Sequence, residues 1–166
     1  MKILVDTREQ LPFTFSRFQA EIERAALPCG DYSLPGFEDR VSIERKELND
    51  LIACLMNGNQ DRFERELSRG RYYELFYVVV ESSLEDVSMG RYRSEMKVHS
   101  ALQSIFAFSV RYRAPFIWAG NRAGAEYVTF SILSKYLEEL GKRFKAASKA
   151  QAAQEGVKVS ALNAGA

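Results

Sequence analysis

The chain opens on a short apolar run, Ile3-Leu4-Val5, that ends in the polar cluster Asp6-Thr7-Arg8-Glu9, the pattern of a buried strand feeding a loop. Residues 10–16, interrupted by Pro12, predict a loop. Over residues 20–27 the placing of Ile22, Arg24 and Ala26 fits helix or strand, and the Pro28-Cys29-Gly30 turn that follows favours strand. Residues 32–34 and 41–45 then read as a hairpin around Pro35-Gly36-Phe37-Glu38-Asp39. After Lys46 the period changes. Leu48, Leu51, Ile52 and Leu55 recur at helical spacing, closed by Asn57-Gly58-Asn59, and a second amphipathic helix spans residues 60–68 before Gly70. The run at 76–80 is the most strand-like in the chain and predicts a strand at the centre of the sheet. A long helix at 96–112, a strand at 115–118 and a final helix at 125–144 complete the pattern. Hairpin-like strands followed by alternating helices and strands describe an α/β fold, a mixed sheet flanked by helices. Residues 146–166 are rich in Ala, Gly, Gln and Ser and lack aromatics, so a disordered tail is expected after one folded domain at 1–145.

Composition changes this picture little. A chain of 166 residues, 46% hydrophobic and 27% charged, suits one ordinary globular domain. The net charge of +1 does not announce a nucleic-acid binder, so any such role depends on where the basic residues gather. Cys29 and Cys54, beside the single His99, form neither a zinc pattern nor a disulfide framework and read as reduced thiols. The first residues are too short an apolar run for a signal peptide, and no later run could span a bilayer, so a cytoplasmic protein is expected.

The chemistry concentrates in the first 50 residues. In Glu44-Arg45-Lys46 on a strand, Glu44 and Lys46 share a face and Arg45 takes the other. A carboxylate can hold a divalent ion there, while the lysine orients an attacking water or offsets charge growing on phosphoryl oxygens. Magnesium wants several hard oxygen ligands, and Asp31, at the start of the paired strand, supplies a second carboxylate. Asp6, Arg8 and Glu9 add two acids and an arginine after the first strand, where loops carry function; the lesser alternative is that the acids merely cap a turn with Arg8 as their partner. Asp50 falls in the first turn of the next helix, where a negative charge is favourable in any case.

Three blocks in order, Val5-Asp6-x-Arg8-Glu9, Gly30-Asp31-Tyr32 and Glu44-Arg45-Lys46-x-x-x-Asp50, resemble the signature of the XPF-type nuclease domain of structure-selective DNA repair endonucleases and archaeal Hef. The resemblance runs to about residue 144 and leaves no signature position unmatched. It implies a restriction-endonuclease-like fold and a Mg2+- or Mn2+-dependent DNA endonuclease acting on branched or flapped DNA. It further implies Asp31 and Glu44 as main metal ligands, with the Arg45 carbonyl as a third, and Lys46 as the catalytic lysine. Asp6 and Glu9 would border the site and hold metal-bound water or a second ion. Arg8 would lie near the scissile phosphate, and Asp50 would orient Lys46 or Arg45. A homodimer through the C-terminal helices is also implied, with an accessory DNA-binding or helicase protein as a further partner. The rival is a non-catalytic DNA-binding or dimerisation subunit, against which the intact acids and the Glu-Arg-Lys triplet argue.

For DNA contact the sequence offers two stretches. Arg62, Arg65 and Arg69 form one stripe of the second helix, interrupted by Glu64 and Glu66. Arg91-Tyr92-Arg93, with Lys97 behind, places an aromatic between arginines in a loop and suits an unpaired base. The loop is the favoured one. His99 reads as structural, because metal-assisted hydrolysis needs no histidine.

Overall fold

In a computed structural model, residues 1–56 and 58–163 are described, with side chains through residue 153. Six strands form one sheet in the order β2-β1-β3-β4-β5-β6. The strands are β1 (Lys2–Asp6), β2 (Glu21–Ala25), β3 (Tyr32–Ser33), β4 (Val41–Lys46), β5 (Leu75–Val80) and β6 (Phe116–Trp118). The helices are α1 (Leu48–Cys54), α2 (Gln60–Gly70), α3 (Leu84–Ser88), α4 (Val98–Tyr112) and α5 (Arg122–Asn163). Only β3 runs antiparallel to its neighbours, while β1–β2, β4–β5 and β5–β6 pair in parallel. One end of the sheet therefore collects the finish of β1, the start of β3 and the finish of β4. That is where Asp6, Asp31 and Lys46 lie.

Burial follows the pattern. Ile3, Leu4 and Val5 of β1 are all buried, as an internal strand covered on both faces requires, whereas edge strand β2 is mostly exposed. One core joins α1, α2 and α4 to β5 through Leu51, Ile52, Phe63, Leu67, Val78 and Ile105. Elsewhere the loop after β1 turns Phe13 and Phe15 onto Tyr32 of β3, with ring centroids 5.0 and 5.8 Å from the tyrosine. The expected loop is thus an aromatic plug, not a solvated connection.

Three differences from the sequence pattern have physical causes. β5 lies inside the sheet but one strand from its edge, because its valines report burial by helices on its faces rather than position in the strand order. The short α3 begins with a capping box in which Ser83 and Asp86 bond reciprocally, a Ser-x-x-Asp signal that apolar periodicity does not register. Finally, α5 continues to Asn163 across most of the stretch expected to be a disordered tail, and positions 164–166 lie outside the described residues. Lack of aromatics argues against a core, but alanine, lysine and glutamine are good helix formers.

The chain divides after Ser131 into two compact units. The first carries the sheet and the helices up to the start of α5; the second is the remainder of α5. No helix among the described residues is long and apolar enough to cross a membrane.

Candidate active site

Asp31 sits in a tight turn stitched to both neighbouring strands. Its N–H donates to the Ile43 carbonyl at 2.9 Å and its carbonyl accepts from Asp6 N–H at 2.8 Å. The turn depends on Gly30, which has φ +68° and whose added Cβ would lie 2.0 Å from Ser42 Oγ. That Ser42 hydroxyl in turn donates to the Cys29 carbonyl at 2.7 Å. The Asp31 side chain reaches across to β4, where Oδ2 accepts from Arg45 N–H at 2.8 Å.

The alternation expected on β4 holds. Glu44, only 2% exposed, and Lys46 share one face and are hydrogen-bonded, with the Lys46 ammonium 5.2 Å from the Phe63 ring centre. Arg45 points the other way, donating through Nε to Glu81 Oε1 at 2.6 Å and pairing with Glu9 at 3.5 Å. Arg122 joins that network by donating to the same Glu81 oxygen at 2.8 Å and to the carbonyls of Leu11 and Pro12. Arg45 is therefore a fixed brace behind the site.

The Asp31 carboxyl is pushed well above the usual carboxylate range. Burial is the main cause and the Glu44 charge the next, with Lys46 and the Arg45 N–H only partly opposing them. Burial also raises Glu44; Lys46 opposes this and the neighbouring Glu66 adds to it. Two acids held this close, under-supplied with donors, form a centre that a cation would stabilise. The donor set fits a hard divalent ion: two carboxylates, together with the Arg45 carbonyl, which faces the Asp31 side as its N–H does. Among the described residues no three His, Cys, Asp or Glu side chains gather closely enough to hold a metal, so carbonyl and water oxygens would complete the shell.

The other predicted residues divide. Asp6, Arg8, Glu9 and Asp50 line the same open cleft of about 460 Å³ as Asp31, Glu44 and Lys46. Asp6 is buried and saturated: it accepts from Arg8 N, Nε and Nη2 at 2.7, 2.7 and 3.0 Å, and from Leu27 N–H at 2.8 Å. Burial would raise its carboxyl, but the bonds from Arg8 and Leu27 outweigh this and bring it below 3.8. Its geometry is that of a turn cap that aims Arg8, with no oxygen left over for a metal. Glu9 accepts from Leu11 N–H at 2.6 Å and braces Arg45. Asp50 is exposed at the cleft, while Lys46 bonds to Glu44 and Arg45 to Glu81, so the geometry gives Asp50 no part in orienting either.

Of the α2 stripe, Arg62 and Arg69 line the cleft and Arg65 does not. The Arg91–Arg93 loop is not part of the cleft lining. Arg91 pairs with Asp86 at 3.0 Å, the Tyr92 hydroxyl donates to the Met96 carbonyl, and Arg93 N–H donates to Asn49. Lys97 is exposed at the start of α4, with exposed His99 in the first turn. Glu66 is a residue that sequence reasoning passed over as an interruption of positive charge. It lies on the cleft with Arg62 and Arg69, and its spacing of four and three residues from them was the available signal.

The sequence matches the ERCC4 domain family over residues 5–130. Among solved structures, XPF from Aeropyrum pernix superposes with a TM-score of 0.66 at 22% identity, covering 86% of this chain and 68% of that one. XPF from Aeropyrum pernix in complex with DNA gives 0.63 at 21%, covering 83% and 66%. This chain thus spans about two thirds of the length of those chains. These likenesses establish the restriction-endonuclease-like mixed sheet. No curated protein matches the chain.

Proposed function

The chain belongs to the ERCC4 domain family, and from that premise we propose that it is a divalent-metal-dependent endonuclease hydrolysing DNA phosphodiesters at branched or flapped sites in repair or recombination. The observation that carries this reading is the pairing of Asp31 with buried Glu44 at an open cleft, with Lys46 on the same strand face. Asp31, Glu44 and the Arg45 carbonyl would hold Mg2+ or Mn2+. When bound, the ion supplies Lewis-acid activation of water and neutralises charge at the phosphoryl group.

The chain's own groups do the positioning. Lys46 Nζ, tethered by Glu44, offsets charge on the phosphoryl oxygens as the water oxygen bonds to phosphorus and the ester oxygen leaves with a proton. Arg8 is held through Nε and Nη2 by Asp6 and through Nη2 by the Leu27 carbonyl, yet its side chain is 64% exposed, which leaves Nη1 to meet a backbone phosphate. Arg62 and Arg69 extend that basic rim above the acidic floor. Glu9, Glu81 and Arg122 keep Arg45, and with it the β4 backbone, in place.

The nuclease activity is assigned to residues 1–145. A second copy of the chain is the proposed partner, supported by Phe106 and Val110, one turn apart on α4 and 47% and 81% exposed. An accessory DNA-binding or helicase protein is a further partner, and the cytoplasm the proposed compartment.

The test is cleavage of end-labelled single-stranded, duplex, flap, fork and four-way DNA with Mg2+, Mn2+ or chelator, alongside E44Q and K46A proteins checked for folding. Metal-dependent cuts lost in both variants support the reading, and the substrate ranking supplies the specificity. Shape-dependent binding without cutting in either metal would favour the non-catalytic subunit instead.

A further inference from the structure

Helix α2 touches the Asp31 turn at two points. The Cys29 thiol donates to the Glu66 carbonyl at 3.5 Å, and Gly30 N–H donates to Glu66 Oε1 at 3.0 Å. The second contact matters more, because Gly30 immediately precedes Asp31 and carries the positive φ on which the turn depends. Without an acceptor there, a partly buried N–H loses its partner and the turn loses a tie to the helix that packs beside it. The rest of the turn is fixed by the Ser42 hydroxyl on the Cys29 carbonyl and by Asp31 N–H on the Ile43 carbonyl. Glu66 supplies the tie from outside the sheet. We propose that Glu66 is a positioning residue of the candidate active site, holding the Gly30–Asp31 turn so that the Asp31 carboxylate stays beside Glu44.

This inference rests on the nuclease reading of the same site and adds to it a residue from α2. It assigns Glu66 an acceptor's role rather than a ligand's. Asp31, Glu44 and Glu66 do not gather as a three-acid metal site, and a further negative charge against Glu44 is a cost, not a benefit. The hydrogen bond is what remains for Glu66 to contribute. Glutamine can supply it: its carbonyl oxygen accepts from Gly30 N–H, and its amide can turn a donor toward Glu44. Alanine can do neither, yet suits the helix better than glutamate, so E66A is expected to fold.

The experiment compares wild type, E66A and E66Q by two readouts. Amide hydrogen exchange at Gly30, followed by NMR on the metal-free protein, reads the tie directly. Steady-state cleavage of the best DNA substrate at saturating Mn2+ reads its consequence for the chemistry. In E66A, Gly30 exchange should rise at least about 10-fold and kcat should fall about 10- to 100-fold with KM for DNA little changed, as for a misplaced reacting group. E66Q should restore both to within about threefold of wild type. Unchanged Gly30 exchange and kcat in folded E66A would overturn the proposal. So would an E66Q protein as impaired as E66A, since the charge and not the bond would then be acting. Should E66A fail to fold, E66L, which keeps side-chain bulk and helix propensity but offers no acceptor, takes its place with the same expectations. If the wild type cuts no DNA, the nuclease reading fails, and Gly30 exchange in E66A against E66Q still decides whether Glu66 holds the turn.

Discussion

Two acids stand at the same end of the sheet and are held in opposite ways. Asp6 accepts four hydrogen bonds, three from Arg8 and one from Leu27, and its carboxyl is pulled below its ordinary range. Asp31 accepts one from the Arg45 backbone, faces buried Glu44, and is pushed well above that range. The first acid is satisfied by the chain alone. The second is left with affinity for something the chain does not provide. Nearness to a cleft therefore does not identify a ligand; the balance of donors around each carboxylate does.

The largest effect that sharpens this contrast is expected from D31N. It should reduce metal-dependent cleavage at least about 1,000-fold while leaving metal-free stability unchanged or higher by about 1 kcal/mol, because it relieves a repulsive buried pair. Thermal unfolding beside the cleavage assay checks both halves. A D31N protein that loses several kcal/mol would show that Asp31 is structural, as Asp6 is.

Next comes G30A, which leaves every charge in place but forces a Cβ against Ser42 Oγ at positive φ. Strain and overpacking together should cost about 3 kcal/mol in urea unfolding, with cleavage lost as the Asp31 turn shifts. A neutral outcome would mean that the turn is looser than its geometry indicates.

D6N is expected to be the mirror image of D31N. It should cost about 2 kcal/mol, because the single amide oxygen replaces only one of the two carboxylate oxygens and leaves two of the four donors facing an NH2 group. Cleavage should fall far less than in D31N. The pH dependence follows from the same bonds. A folded pKa below the ordinary 3.8 means that Asp6 contributes fully above 3.8 and loses that contribution as pH falls through the lower folded value. D6N should therefore flatten the acid limb of the stability curve below pH 3.8, which acid titration followed by circular dichroism would detect. An unchanged limb would place the acid sensitivity elsewhere.

Much of this site was legible because strand alternation is a local rule. It put Glu44 and Lys46 on one face and Arg45 on the other, and the structure agrees. What separates Asp6 from Asp31 was legible only in part: Arg8, two positions on, supplies three of the four bonds to Asp6, whereas the fourth donor, Leu27 N–H, is 21 positions away and becomes a neighbour only when β1 and β2 pair. The same holds for Glu66, 36 positions from Gly30, and for Glu81, which captures Arg45 across the β4–β5 ladder. The fold class followed from periodicity. The rank of β5 in the sheet did not, since a valine run records burial and says nothing of how many strands lie beyond it.

The most direct test of the account is calorimetric titration of Mn2+ into the metal-free wild type, D31N, E44Q and D6N proteins in the absence of DNA. Asp31 and Glu44 as the metal centre predict binding by wild type and by folded D6N, and loss of at least about tenfold in affinity in D31N and E44Q. Equal binding by all four proteins, or loss in D6N alone, would contradict that assignment and move the metal centre away from the Asp31–Glu44 pair.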